Sequence, residues 1–308
     1  MRIVLLTLGL LVALAGHAGA ASNGPPPLQP RESVVRVEHI AYRAHDGHMR
    51  PALLLLPGDY QGEPVPLVIS PHGRNNPPRA TARRWGHLPA EGRFAVICPG
   101  GEGRRLPLFS WGAPGQIADL ARMPAVAAAH GVRVQRVYAV GASMGGQETL
   151  LLVGRYPQLL AGAVAFDPAT NMASRYREFG HSPGGAQLQR LARLEVGGTP
   201  RTIPGAYAAR SPDRYVHAIA GSHVPLQLYW SQRDGVIKRQ QRAVAKFAAA
   251  IGRHHGSSCL LVYRSDWQHA AEMRRHRQLG PALERLGLLP CNLASRPLSW
   301  CEAPSAAS

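Results

Sequence analysis

The sequence predicts an α/β fold in which a mostly parallel β-sheet carries helices on both faces. Short, almost wholly apolar runs alternate with stretches whose apolar residues recur at helical spacing. Strands that are apolar on both sides are typical of parallel sheets, because helices cover each face. With 308 residues, 45% of them hydrophobic, the chain is long enough to bury one large core. We therefore expect a single α/β domain.

The alternation can be followed element by element. Predicted strands lie at 65–70, 94–98, 134–140, 161–166, 224–230 and 259–263. Predicted helices lie at 116–129, 145–156, 238–251 and 274–288. Ahead of them, two apolar runs flank Asp46-Gly47, and Asp-Gly in that position predicts an N-terminal β-hairpin.

The N-terminus has the pattern of a secretory signal. Met1-Arg2 carries a positive charge, residues 3–15 are apolar or small, and Ala18-Gly19-Ala20 is typical of a cleavage site. A membrane anchor would need about 20 apolar residues, and this run is shorter. We expect residues 1–20 to be removed, with export to the periplasm or the medium and no membrane span.

The remaining chain divides into three parts. Residues 21–33 form an extended, proline-rich leader, and residues 34–290 form the α/β domain. Within it, residues 170–222 are rich in Gly, Pro and Arg, which suggests a lid-like insertion that could shape a substrate pocket. In the tail, 291–308, Cys291 and Cys301 could form a disulfide, as an exported chain permits. Cys98 and Cys259 could form a second bridge or stay as buried thiols.

The net charge of +17 depends on arginine, since only two of the 35 basic residues are lysine. Such a field could attract anionic polymers. The arginines are nevertheless scattered, with no basic run and no nucleic-acid-binding motif. We interpret them as a compositional bias and expect no nucleic-acid partner.

The clearest chemical motif is Gly141-Ala142-Ser143-Met144-Gly145, a G-x-S-x-G between a predicted strand and a predicted helix. That context predicts a nucleophile elbow, in which a tight turn exposes the serine hydroxyl. The flanking glycines allow other backbone segments to approach closely, and the helix start directs N–H groups at developing negative charge. We expect Ser143 to be a nucleophile.

A nucleophilic serine needs a histidine to take its proton and an acid to orient that histidine. In the expected order of serine, acid and histidine, Asp234 and His269 follow the last two predicted strands. Asp234 could instead belong to a plain Asp-Gly turn. Asp167, which follows the strand before, is the alternative acid.

Two backbone N–H groups should bind the oxyanion of the intermediate. One is that of Met144, directly after the nucleophile. The other is that of Gly73 or Arg74, in the loop after the strand at 65–70, although a simple glycine turn would explain this loop too. No dinucleotide-binding, P-loop or H-E-x-x-H motif is present. We expect neither a cofactor nor a metal.

These motifs together resemble an α/β-hydrolase over residues 34–289. The chain is most similar to the branch that contains dienelactone hydrolases and prolyl-oligopeptidase catalytic domains. The resemblance is carried by Asp46-Gly47, His72-Gly73, the motif 141–146, Arg210-Ser211-Pro212, Asp234 and His269. Residues 110–143 are also similar to secreted polyester depolymerases and feruloyl esterases. Arg74 departs from the pattern, because a second glycine often follows His-Gly.

The resemblance implies a serine hydrolase that forms an acyl-enzyme from a small-molecule or polymeric carboxylic ester. A prolyl-oligopeptidase-like peptidase or aminopeptidase could use the same residues. The propeller domain of full prolyl oligopeptidases does not fit in 308 residues, which favours the ester hydrolase. A non-catalytic protein that binds anionic polymers on the same fold is a third interpretation.

Overall fold

The central sheet has eight strands in the order β1-β2-β4-β3-β5-β6-β7-β8. The computed structural model describes residues 34–254 and 259–290, except the side chains of 275 and 276. The strands are β1 Val35–Arg43, β2 Met49–Pro57, β3 Val65–Ile69, β4 Ala95–Pro99, β5 Val134–Ala142, β6 Gly162–Phe166, β7 Leu226–Ser231 and β8 Leu260–Ser265. Strand β2 is antiparallel to β1 and β4, and every other pair is parallel. The predicted mostly parallel sheet with an N-terminal hairpin is confirmed.

Helices cover both faces of this sheet. They are α1 Pro78–Trp85, α2 Leu88–Gly92, α3 Pro114–Ala129, α4 Met144–Arg155, α5 Met172–Phe179, α6 Gly185–Val196, α7 Pro204–Ala208, α8 Val216–Ala220, α9 Gln240–Gly252 and α10 Gly280–Arg285. Successive strand residues alternate between two cores. Leu54 and Leu56 pack in the core that includes α3, α4 and α9, whereas Leu53 and Leu55 pack in the core that includes α1 and α10. This alternation is the pleat of a strand buried on both sides.

Two parts of the chain differ from the sequence-based expectation. The single helix expected at 274–288 is a wide turn, Arg275–Leu279, followed by the short α10. Arg277 breaks the helical path with a φ of −119° and a ψ of −108°. The segment 170–222 joins β6 to β7 and contains α5 to α8, four helices that were not predicted from the sequence.

The cysteines and termini are only partly described. Cys98 is buried with a free thiol, so it forms no bridge to Cys259. Residues 1–33, Cys291 and Cys301 lie outside the described residues, and the signal, the leader and the Cys291–Cys301 disulfide stay predictions. Across 34–254 and 259–290, no helix combines the length and the apolar character that a membrane span needs.

Glu195 in α6 ties the insertion to the loop that follows β4. Its buried carboxylate accepts hydrogen bonds from the backbone N–H groups of Arg104 at 2.6 Å, Arg105 at 2.8 Å and Leu106 at 3.1 Å. Nη2 of Arg210, itself buried, lies 3.6 Å from Glu195 Oε1. The Glu195 carboxylate is therefore the acceptor for three backbone N–H groups and the counter-ion of Arg210.

We expect Glu195→Ala to lower the free energy of unfolding by about 3–5 kcal/mol, because it leaves Arg210 buried without its counter-ion. Denaturant unfolding measures the change. Leu194→Ala is the control, since Leu194 is exposed on the same helix and its loss should cost about 0.5 kcal/mol or less. Similar, small losses in both variants would contradict the anchoring role of Glu195.

Candidate active site

Ser143 lies in a tight turn between β5 and α4, with a φ of 60° and a ψ of −121°. A positive φ is strained for a residue with a side chain and persists where the surroundings hold it. The Ser143 N–H donates to Phe166 O at 2.8 Å. A Cβ on Gly145 would lie 2.3 Å from Pro71 O, so only glycine allows the loop after β3 to pack against this turn. The turn has the geometry of a nucleophile elbow.

Asp234 and His269, in the loops after β7 and β8, form a buried pair. His269 Nδ1 lies 2.7 Å from Asp234 Oδ2, and the two side chains are 14% and 2% exposed. Asp234 Oδ1 accepts hydrogen bonds from the N–H groups of Val236 at 2.7 Å and Ile237 at 2.8 Å. The backbone thus holds the carboxylate, and the carboxylate orients the imidazole.

The second ring nitrogen of the histidine is available for chemistry. His269 Nε2 is buried and has no hydrogen-bond partner within the described ranges. Ser143 Oγ likewise makes no hydrogen bond to a described residue, so the two groups are not hydrogen-bonded to each other in this structure. Such catalytic contacts often tighten only when substrate binds.

Asp167, the alternative acid, has a different set of partners. Its Oδ2 is 4.0 Å from His269 Nδ1, farther than Asp234. It accepts hydrogen bonds from the N–H of Ser231 at 2.7 Å and from that of Ala270 at 2.6 Å. Asp167 therefore holds the backbone beside His269 and does not contact the ring closely.

A second buried acid, Glu272, lies next to Asp167 and was not identified from the sequence. The hydroxyl of Ser231 is within hydrogen-bond distance of both carboxyl groups, and that of Ser265 donates to Glu272 at 2.6 Å. Burial, followed by the charge of Glu272, raises the pKa of Asp167 to about 9. Asp167 is therefore protonated at neutral pH, which makes Asp234 the better partner for a histidine cation.

The expected oxyanion donors lie beside Ser143. A Cβ built on Gly73 would be 4.0 Å from Ser143 Cβ, so this loop passes close to the nucleophile. The His72 ring anchors the loop, since its nitrogens lie 2.6 Å from Gly101 O and 2.8 Å from Gly73 O. Among the described residues, the N–H groups of Gly73 and Arg74 have no acceptor. Met144 is the first residue of α4, so its N–H has no partner within the helix.

The pocket at Ser143 draws on the insertion as well as on the sheet loops. Its lining comprises Arg74, Trp111, Ser143, Met144, Gln147, Ala169, Arg175, Phe179, Val236 and Ile237. Arg175 and Phe179 belong to α5, inside the segment 170–222. The composition of that segment predicted a role in the pocket, but it contained no motif that could select these two residues.

Among the described side chains, one group has a geometry that could suit a metal. Its members are Asp167, Asp234 and His269, whose donor atoms lie within 4.8 Å of one another. Each of those side chains already has a hydrogen-bond partner. The hydrogen bonds thus account for this grouping without an ion.

We expect Asp167→Asn to flatten the pH dependence of stability. Between the ordinary pKa of 3.8 and the folded-state value of about 9, only the folded protein keeps the Asp167 proton. Stability therefore falls as pH rises through this interval, by up to about 1.4 kcal/mol per pH unit. Asparagine has no proton to lose, so the variant should gain stability relative to the parent as pH rises.

Urea unfolding at pH 5 and pH 8 measures this difference. Asp266→Asn is the matched control, because Asp266 is exposed, and it should keep the parental slope. Parallel stability curves for Asp167→Asn and the parent protein would contradict the raised pKa.

Comparison with known proteins identifies the architecture. No protein-family model matches the sequence, and no curated protein sequence matches it. Among solved structures, the Pyrococcus furiosus esterase Pf2001 is similar over 84% of this chain and 93% of its own, with 16% identity and a TM-score of 0.60. The S-formylglutathione hydrolase of Agrobacterium tumefaciens is similar over 81% and 95%, with 15% identity and a TM-score of 0.60.

A larger protein is also similar. The Pyrococcus horikoshii acylaminoacyl peptidase matches 84% of this chain but only 42% of its own length, with 14% identity and a TM-score of 0.62. The three similar structures each match between 81% and 84% of this chain. The chain has the α/β-hydrolase fold.

Proposed function

We propose that this protein is a serine hydrolase that cleaves carboxylic esters through an acyl-enzyme. The observation that carries the proposal is the strained Ser143 turn at the end of β5, together with the His269–Asp234 pair after β7 and β8. These residues follow parallel strands of one sheet, at the edge where α/β proteins place their ligands.

In the first step, Ser143 Oγ attacks the ester carbonyl carbon and its proton passes to His269 Nε2. Asp234, 2.7 Å from Nδ1, stabilises the imidazolium that forms. The oxyanion accepts hydrogen bonds from the N–H of Met144 and from that of Gly73 or Arg74. Preorganised donors of this kind stabilise charge that develops in the transition state.

Collapse of the intermediate breaks the bond between the carbonyl carbon and the alcohol oxygen. His269 donates its proton to the departing alcohol, and the acyl group stays on Ser143. A water molecule then attacks the acyl carbon while His269 takes one of its protons. The second collapse returns that proton to Ser143 and releases the acid.

Peptide hydrolysis is the second candidate, because amides react through the same residues. The acylaminoacyl peptidase supports it, but this chain spans about two-fifths of that protein. The two esterase-type relatives are matched over nearly their full length, which favours an ester. We place the activity outside the cytoplasm, on the strength of the signal pattern at residues 1–20.

A fluorophosphonate probe tests the proposed nucleophile. We expect the parent protein to be labelled and Ser143→Ala to lose both labelling and several orders of magnitude in turnover while it stays folded. Ser222→Ala, in the turn between α8 and β7, is the matched control and should keep both. A p-nitrophenyl ester should be cleaved faster than an aminoacyl anilide. Absence of labelling in folded protein would instead favour the polymer-binding interpretation.

The triad acid can be identified by comparing Asp234→Asn with Asp167→Asn. An amide at 234 no longer stabilises the imidazolium, so we expect kcat/KM to fall about 10³- to 10⁴-fold. The loss for Asp167→Asn should be far smaller, because its carboxyl is already neutral. A larger loss at 167 than at 234 would reverse the two assignments.

A further inference from the structure

We propose, on the basis of the proposed hydrolase function, that the ester substrate carries a carboxylate that Arg74 and Arg175 bind beside Ser143. Both arginines line the pocket of the nucleophile, and none of its ten lining residues is acidic. Apart from the arginines, Ser143 and Gln147, that lining is apolar. An anion in this pocket would meet two cations, of which Arg175 is already paired with Glu178, an acid outside the lining.

Arg74 is a cation without a counter-ion. Its Nη1 is buried and has no hydrogen-bond partner in the part of the chain that the structure describes. Burial and the neighbouring charge of Arg175 lower the pKa of Arg74, so the surroundings oppose its charge. A buried guanidinium nitrogen without a partner is costly, and a bound anion would remove much of that cost.

Arg175 has a partner for only one of its nitrogens. It is 8% exposed, and its Nη1 donates to Glu178 Oε2 at 3.0 Å. Its guanidinium carbon lies 4.6 Å from the centroid of the Phe179 ring. Its Nε and Nη2 make no hydrogen bond to any described residue. Glu178 thus balances the charge of Arg175 and leaves that of Arg74 without a bonded acid.

Arg210 shows how this chain neutralises an arginine that has a structural role. That side chain is buried, lies 3.6 Å from Glu195 Oε1 and donates to Ser110 O. Arg175 is bonded to Glu178 and also feels the charge of Asp234, whereas Arg74 is bonded to no acid among the described residues. The unpaired charge of Arg74 in a small, mostly apolar pocket matches a singly charged carboxylate, which guanidinium groups bind through paired hydrogen bonds.

The test compares esters that differ only by this charge. On the acyl side, the p-nitrophenyl monoester of adipic acid is paired with p-nitrophenyl hexanoate. On the alcohol side, 4-carboxyphenyl hexanoate is paired with phenyl hexanoate. We expect a higher kcat/KM for the charged member of one pair, which identifies the side of the ester that enters the pocket. Preference for the neutral member in both pairs would overturn the proposal.

Arg175→Met should reduce the charged-to-neutral ratio of kcat/KM about 10- to 100-fold, the usual effect of losing a charge-assisted hydrogen bond. Arg175→Lys should retain part of the preference. Arg177→Met is the matched control, because Arg177 is exposed on the same helix and does not line the pocket. An equal reduction in Arg177→Met would show a general effect of net charge and contradict the pocket.

A binding measurement separates this proposal from the proposed hydrolysis. We expect the monoamide of adipic acid to bind Ser143→Ala in calorimetry more tightly than hexanamide does, and Arg175→Met to abolish the difference. Such binding without any ester turnover would overturn the hydrolase function alone. Ester turnover with neither charge preference nor selective binding would overturn the carboxylate site alone.

Discussion

The close packing of backbone around the turn from β5 to α4 is the constraint on which the candidate site depends. The N–H of Ser143 is bonded to Phe166 O at the end of β6, and Gly145 leaves room for Pro71 O after β3. Three loops from neighbouring strands therefore meet at one point. This packing holds Ser143 at a positive φ. It therefore also fixes the Ser143 hydroxyl next to the loop that carries the expected oxyanion donors.

The position of His269 depends on a second feature, a cluster of buried carboxyl and hydroxyl groups. Asp167 bonds to the N–H of Ala270, directly after His269, and Ser231 links Asp167 to Glu272. A neutral Asp167 can hold this loop without competing with Asp234 for the charge of the imidazole. The two acids therefore have different partners: Asp167 positions the backbone beside His269, and Asp234 faces the ring.

The wall of the pocket at Ser143 depends in part on a third set of contacts, those of the insertion. Glu195 fixes the insertion to the loop at 104–106, and Gln147 in α4 donates to the backbone oxygens of Trp111 at 3.2 Å and Arg210 at 2.7 Å. Helix α5 can then present Arg175 and Phe179 to Ser143. The candidate reactive groups come from the sheet loops, and the insertion adds Arg175 and Phe179 to a pocket wall that those loops also form.

The sequence by itself determined the α/β class, the order of the strands along the chain and the motif around Ser143. Each of these depends on residues that are close together in the sequence. The spacing of apolar residues indicates which side of an element is buried, and glycines indicate a tight turn. Asp234 and His269 could be selected because each directly follows a strand. Only the tertiary structure shows that Asp234 lies 2.7 Å from His269 and Asp167 4.0 Å, and that Glu272, far along the chain, lies beside Asp167. Arg175 became a pocket residue for the same reason: long-range packing brings it to Ser143, and no local pattern records such contacts.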